Sequence, residues 1–368
     1  PLHSFANEFS KELCATSTYL PEGARKISPL DQKTLRYAVR MKDDRGFLFI
    51  NNFQDHAQTR LKKDETIVLE LSGETIEVGP ISLAPDENCI LPFNMDLNGI
   101  LLKYALAQPV TRWTEGGTVC YLFMVPDGME EGFVFEEGTV VTESNHGYGR
   151  VYSVAREDKC CSIYTIPRNK MGDLYQLERG GRRIFVMTDA AVLGDKDEIR
   201  LETMEEETLV SVYPCDAFKE SSQVIRRKTD KGMWGIYQIS VEKKEIDVSV
   251  KQIGPSRYVI NIPTDNMKGL KEGLLQIQYE GDIGQAFIDG EMIHDNFNNG
   301  AIWELGLKNF VDRLEKQPLT IYITPLKKGA RVNAQSAMAA RTEEVDETVA
   351  SLNSAAVRPV YEVKLLYA

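Results

Sequence analysis

The chain opens on an apolar stripe at helical spacing and then changes period. In "LHSFANEFSKELC" (2–14), Leu2, Phe5, Phe9 and Leu13 fall at i, i+3, i+7 and i+11, which is one face of an amphipathic helix. The next stretch, "TSTYLPEGARKISPLDQK" (16–33), carries Pro21, Gly23 and Pro29 without any period and reads as an extended connector. From Leu35 the runs are short and of β type. "LRYAVRM" alternates, "GFLFINNF" is a buried apolar strand running into polar residues, and "ETIVLELSGETIEVG" holds two alternating runs around Ser72-Gly73, a hairpin signal.

The β pattern continues through "TVCYLFMV", "GFVFEEGTVV", "RVYSVA", "CCSIYTIP", "RRIFVMTD", "DEIRLETM" and "ETLVSVYP". Strands at this spacing, divided by Gly, Pro, Asp and Asn, describe an all-β sandwich and not a βαβ protein. One helical interruption is expected near "NKMGDLYQLE", where Met171, Leu174 and Leu177 keep a three-residue step. A polar break, "CDAFKESSQVIRRKTDKG" (215–232), precedes a second β series that ends in "VYEVKLL". This last run puts Val360, Glu362, Lys364 and Leu366 on one face and Tyr361, Val363 and Leu365 on the other, as in a closing jelly-roll strand. The segment "NAQSAMAARTEEVDETVASLNSAAVRP" (333–359) fits a strand and loop, a short helix or partial disorder equally well.

These patterns predict a mainly β protein: a helix and connector over 1–34, a first β-sandwich over 35–214, and a jelly-roll domain over 215–368. With 368 residues, 42% of them hydrophobic, the chain can bury a sizeable core in two or three domains. The formal net charge of −12 and the lack of a basic stripe disfavour nucleic acid and anionic membranes as partners. No apolar run approaches the ~20 residues of a membrane-spanning helix. The cysteines Cys14, Cys89, Cys120, Cys160, Cys161 and Cys215 are scattered and read mainly as free thiols. There is no CxxC pair, HExxH or P-loop, so neither a metal nor a cofactor is expected.

The candidate chemistry concentrates in "GQAFIDGEMIHDNFNNGAIWELGLKNF" (284–310). Asp289-Gly290 is the dipeptide of a tight type I′ turn, which favours a turn role for Asp289 over a catalytic one. "HDNFNNG" continues as a loop, and "WELGLKNF" as an extended segment with Trp303, Leu305 and Leu307 on one face. Two readings stand side by side. Asp295, Asn298 and Trp303 can line a sugar site, the indole under the apolar side of a pyranose and the polar groups on its hydroxyls, or Trp303 can belong to the core. The aromatic residues Trp113, Tyr121 and Phe123 read as alternating core positions along one strand. Acidic runs such as Glu130-Glu131 and Glu205-Glu206-Glu207 read as solvated turns, and no residue is assigned a catalytic role.

An ordered set of segments carries a resemblance. "LRYAVRMKDDRGFLFINNFQDH" (35–56), "ILPFNMDLNGILLKYALAQPVTR" (90–112) with "YLFMVPDG", and "AFIDGEMIHDNFNNGAIWELGLKNF" (286–310) with "LTIYITPL" resemble the region after the catalytic barrel in glycoside hydrolase family 35, the β-galactosidase-like exo-glycosidases. The opening helix is similar to the one that leaves the barrel in those enzymes. The resemblance implies a galactose-binding-like second domain and a retaining two-glutamate scheme housed in a (β/α)8 barrel of about 250 residues. Only 34 residues precede the first β run, so neither catalytic glutamate is carried over. The expectation is a non-catalytic pair of β-domains, inactive alone, that braces a missing or separate N-terminal catalytic barrel and touches a galactose-containing glycan. Pro1 and the apolar face of the first helix are expected to mark where that barrel was attached. A stand-alone carbohydrate-binding module and a purely structural scaffold are the alternatives. Free cysteines permit the cytoplasm, whereas export to the periplasm or outside the cell is common among such relatives.

Overall fold

The computed structural model describes residues 1–28, 31–54, 58–194, 197–227, 233–327, 329 and 348–368. It is mainly β, 58% strand and 9% helical, which settles the fold class as β-sandwich in character with a short helix at the start. The chain forms two compact units, Pro1–Met187 with Ser211–Ala217 and Arg227–Ile236, and Thr188–Val210 with Phe218–Arg226 and Tyr237–Ala368. Neither unit is one continuous stretch of sequence.

In the first unit the amphipathic stripe forms two short helices, Leu2–Glu8 and Ser10–Cys14, interrupted at Phe9. Its apolar face is not open to a partner, contrary to the expectation for Leu2, Phe5 and Phe9. Phe5 and Phe9 are 1% and 0% exposed, and only Leu2 faces solvent. Phe5 meets Phe47 edge to face at 5.1 Å between centroids. Burying such a phenyl ring is worth about 1.5–3 kcal/mol, so the helix is held by the unit's own core. Glu8 adds ion pairs to Arg112 and Arg183, both at 3.5 Å, and accepts from the Thr111 hydroxyl at 3.1 Å.

The helices add Phe5 and Phe9 to a cluster that also draws on a six-stranded sheet, which includes Arg36–Lys42, Arg45–Asn51, Asn88–Leu97 and Ile100–Ala105. Phe47 joins the cluster of Phe5, Phe9, Leu102 and Phe123, whereas Leu48 and Ile50 join Val78, Ile81 and Leu83 of the hairpin Lys62–Glu70/Thr75–Leu83. A strand buried on both faces needs apolar residues at successive positions, which explains why "FLFI" does not alternate. A five-stranded sheet, ordered Val140–Asn145, Arg150–Arg156, Lys159–Pro167, Thr118–Val125, Gln108–Glu115, completes the main layers. Trp113 lies on Gln108–Glu115 opposite Cys120, not on the strand of Tyr121 and Phe123, and packs in a different cluster from them. The expected helical interruption is a single turn, Arg168–Met171. Leu174–Arg179 instead pairs with Arg182–Met187, and this pairing overrides the three-residue step.

The second unit is a sandwich of two five-stranded antiparallel sheets. One is ordered Ala191–Gly194, Glu198–Thr203, Ser351–Leu366, Glu272–Glu280, Trp303–Gly306. The other is ordered Ser249–Gly254, Arg257–Asn261, Leu319–Thr324, Ile283–Ile288, Glu291–Phe297. Between them lies a core that includes Ile260, Leu275, Ile277, Ala286, Leu305, Leu319 and Ile321. Tyr361, Val363 and Leu365 point inward from Ser351–Leu366, as their alternation requires. Residues 333–347 of the ambiguous segment lie outside the described residues, and Ser351–Leu366 is strand.

Candidate functional site

The segment 284–310 folds as its turn chemistry dictates. Ile283–Ile288 and Glu291–Phe297 form a hairpin closed by Asp289 at φ 52° and Gly290 at φ 77°, the positive pair a type I′ turn requires. Beyond it Asn298 is locked in place. Its side-chain amide donates to the carbonyls of Tyr279 and Gly281 at 3.0 and 3.1 Å, and its Oδ1 accepts from the Gly300 amide at 3.0 Å. Asn298 is 2% exposed, so it holds the loop and offers nothing to a ligand.

Trp303 is likewise 2% exposed. Its indole N–H donates to His294 Nδ1 at 3.1 Å, its ring lies 5.8 Å from that of Tyr279, and a Cβ on Gly284 would come within 2.7 Å of it. The Tyr279 hydroxyl is saturated in turn: it donates to the Asn296 carbonyl at 2.8 Å and accepts from the Gly284 amide and Asn296 Nδ2, both at 3.0 Å. An indole enclosed in this way has no face for a pyranose. Of the three residues singled out in the sequence, Trp303 and Asn298 therefore lie in the frame, and only Asp295 reaches solvent.

Asp295 stands on the outer face of its sheet, where the register builds a surface that the sequence reading missed. Cross-strand partners share a face, with Cβ atoms about 4.5–5.5 Å apart. Asp295 pairs with Gln285, Gln285 with Tyr322, and Tyr322 with Arg257, one row across four strands. The adjoining rows place Phe297 beside Ile283, and Met292 beside Phe287. Phe297 is 65% and Met292 50% exposed. The Arg257 guanidinium lies 5.7 Å from the centre of the Tyr322 ring. Aromatic faces thus alternate with a guanidinium, an amide and a carboxylate, so the surface can pack against an apolar ring face while giving and accepting hydrogen bonds around its edge. The signal was present in the odd positions Ile283, Gln285 and Phe287, which face opposite to Gly284, Ala286 and Ile288.

His146 in the first unit accepts the Trp234 indole N–H on Nδ1 at 3.1 Å and bonds the Thr165 carbonyl through Nε2 at 2.9 Å. These partners define the neutral tautomer with the proton on Nε2, and burial pushes the imidazole below its ordinary pKa. Burial also pushes the Cys120 thiol up to about 11 and that of Cys161 up to about 12, which leaves neither as a nucleophilic thiolate at neutral pH. Among the described residues, no group of three or more His, Cys, Asp or Glu side chains could hold a metal ion. In comparisons with known proteins, no family model matches this chain and no curated sequence matches it.

Proposed function

We propose that the chain forms the non-catalytic β-domains of a β-galactosidase-like glycoside hydrolase, and that its second unit is a galactose-binding-like sandwich touching a galactose-containing glycan. In this reading the β-domains brace a catalytic barrel, and the described residues supply recognition and not bond cleavage. The observation that carries the proposal is the row Arg257–Tyr322–Gln285–Asp295 with Phe297 beside it, an exposed amphipathic sheet face. Carbohydrate recognition needs this combination of apolar ring contact and paired donors and acceptors. The segment resemblance stated above supports the same class.

Calorimetric titration of the protein with β-linked galacto-oligosaccharides tests the proposal, run beside a chromogenic β-galactoside assay. Saturable binding is expected without turnover, and Phe297→Ala with Tyr322→Ala should abolish it while the thermal transition stays in place. Absence of binding, or binding indifferent to both substitutions, would remove the sheet face as the site. Turnover by the chain itself would overturn the non-catalytic reading.

A further inference from the structure

The outer sheet face of the second unit is charged unevenly. Along Arg257–Asn261, Tyr258 and Ile260 are buried, so Arg257 and Val259 stand on the outer face, where they pair with Tyr322 and Thr320. Lys251 is the direct cross-strand partner of Val259, which puts it on the same face. Arg257 precedes Val259 by two residues, so Arg257 and Lys251 are diagonal neighbours, about 7–8 Å apart. Both side chains are exposed and long enough to reach one small group between them.

The two charges stand unopposed. Arg313 of the same sandwich pairs with Glu291 at 3.0 Å and Lys271 with Glu202 at 3.0 Å, whereas neither Lys251 nor Arg257 is in an ion pair among the described residues. Their neighbours on the face, Gly254, Val259, Thr320 and Tyr322, are uncharged. The acid of the row, Asp295, lies three strands from Arg257, about 14 Å at the usual strand spacing of about 4.8 Å. In a chain of formal charge −12, two adjacent cations without an acid run against the general balance. The Arg257 guanidinium lies 5.7 Å from the centre of the Tyr322 ring, a contact that restrains the side chain and leaves the edge N–H groups of its fork for an oxyanion.

We propose, resting on this face as the glycan site, that the glycan is acidic. The sugar lying toward Arg257 carries a carboxylate or a sulfate ester, which Arg257 and Lys251 hold between them, and the neighbouring sugars run over Gln285 toward Asp295 and Phe297. Arg257 supplies paired, directional donors and Lys251 a point charge, a combination that rewards an oxyanion over a neutral hydroxyl. An acidic group is disfavoured beside Asp295, so the charge pattern also gives the glycan one direction along the row. Lys251 and Arg257 are then the residues that set the specificity of the face.

The test is calorimetric titration of the full chain with three galacto-oligosaccharides of equal length, one neutral, one ending in galacturonic acid and one bearing a sulfate ester. At least one of the acidic two should bind about tenfold or more tighter than the neutral one, and which of them does so separates carboxylate from sulfate. The advantage should shrink as salt is raised from about 0.05 M to about 0.5 M, because exposed charges are screened. In Arg257→Gln and in Lys251→Gln the ratio of acidic to neutral affinity should fall several-fold with an unchanged thermal transition, since both side chains are exposed. A ratio near one in the parent, or a ratio that neither substitution moves, would overturn the inference and leave the sheet face as a site for neutral galactosides. Absence of binding by all three would overturn both.

Discussion

The indole N–H of Trp303 donates to Nδ1 of His294 at 3.1 Å, and in the other unit Trp234 makes the same bond to Nδ1 of His146, also at 3.1 Å. Both tryptophans are buried, at 2% and 3% exposure, so each indole finds inside the protein the acceptor that its N–H requires. The pairing binds Trp303 to the frame of the second sandwich and separates its role from that of the exposed Phe297.

Trp303→Ala should therefore destabilise the second unit by about 3–5 kcal/mol, the range for emptying a buried indole site. Phe297→Ala should stay within about 0.5 kcal/mol of the parent, as surface substitutions do. Urea unfolding followed by fluorescence separates the two through the shift of the midpoint at constant slope. Similar losses for both variants would contradict this division of roles.

His146 makes stability depend on pH. Its folded-state pKa lies below the unfolded value of about 6.5. Above that value both states are neutral and the group contributes no pH dependence. As pH falls below it, the unfolded chain takes up a proton that the folded one resists, so stability declines until the folded pKa is passed. Protonating Nδ1 would also displace the Trp234 bond. Unfolding free energies measured from pH 7.5 down to about 5 should fall, and His146→Gln should flatten that part of the decline.

Gly284 lets the Trp303 ring close over the hairpin, since a Cβ there would lie 2.7 Å from one ring carbon and 2.9 Å from the next. Both neighbours belong to a rigid indole, so little can yield. Gly284→Ala should cost about 1–3 kcal/mol, the range for overpacking a core, and should blue- or red-shift the Trp303 emission as the ring moves. An unchanged midpoint and spectrum would show that the ring is not held there.

At the hairpin tip, Asp289→Gly should leave stability within a few tenths of a kcal/mol, because glycine adopts φ 52° without strain. Gly290→Val should cost about 1–2 kcal/mol, the penalty for a side chain forced into the left-handed region. Thermal unfolding of the two variants gives the comparison directly.

Much of this architecture is legible in the sequence because its signals are local. The change from helical to β periodicity at Leu35, the Asp289-Gly290 turn and the inward set Tyr361, Val363 and Leu365 all depend on neighbours a few residues away. The outer-face row is legible only in part. Arg257, Gln285, Asp295 and Tyr322 are brought together by the register of four strands, which no single segment encodes. For Trp303 the sequence left a core role and a sugar-contact role both open, for a related reason. Its exposure is decided by Gly284 and Tyr279 on other strands, and composition alone cannot distinguish an enclosed indole from an open one.

The strand Ser351–Leu366 lies at the centre of its sheet, with residues 351–360 paired to Glu272–Glu280 and residues 361–366 to Glu198–Thr203. It is the last of these strands to leave the ribosome. Until it arrives, two β edges made far earlier stand open, and open edges are templates for mispairing. At about 5–20 residues per second, more than 60 residues after Glu280 must be translated, so the nascent sheet waits several seconds for its keystone. Its yield in the cell will follow how well that interval is protected, whatever the final stability of the finished sandwich.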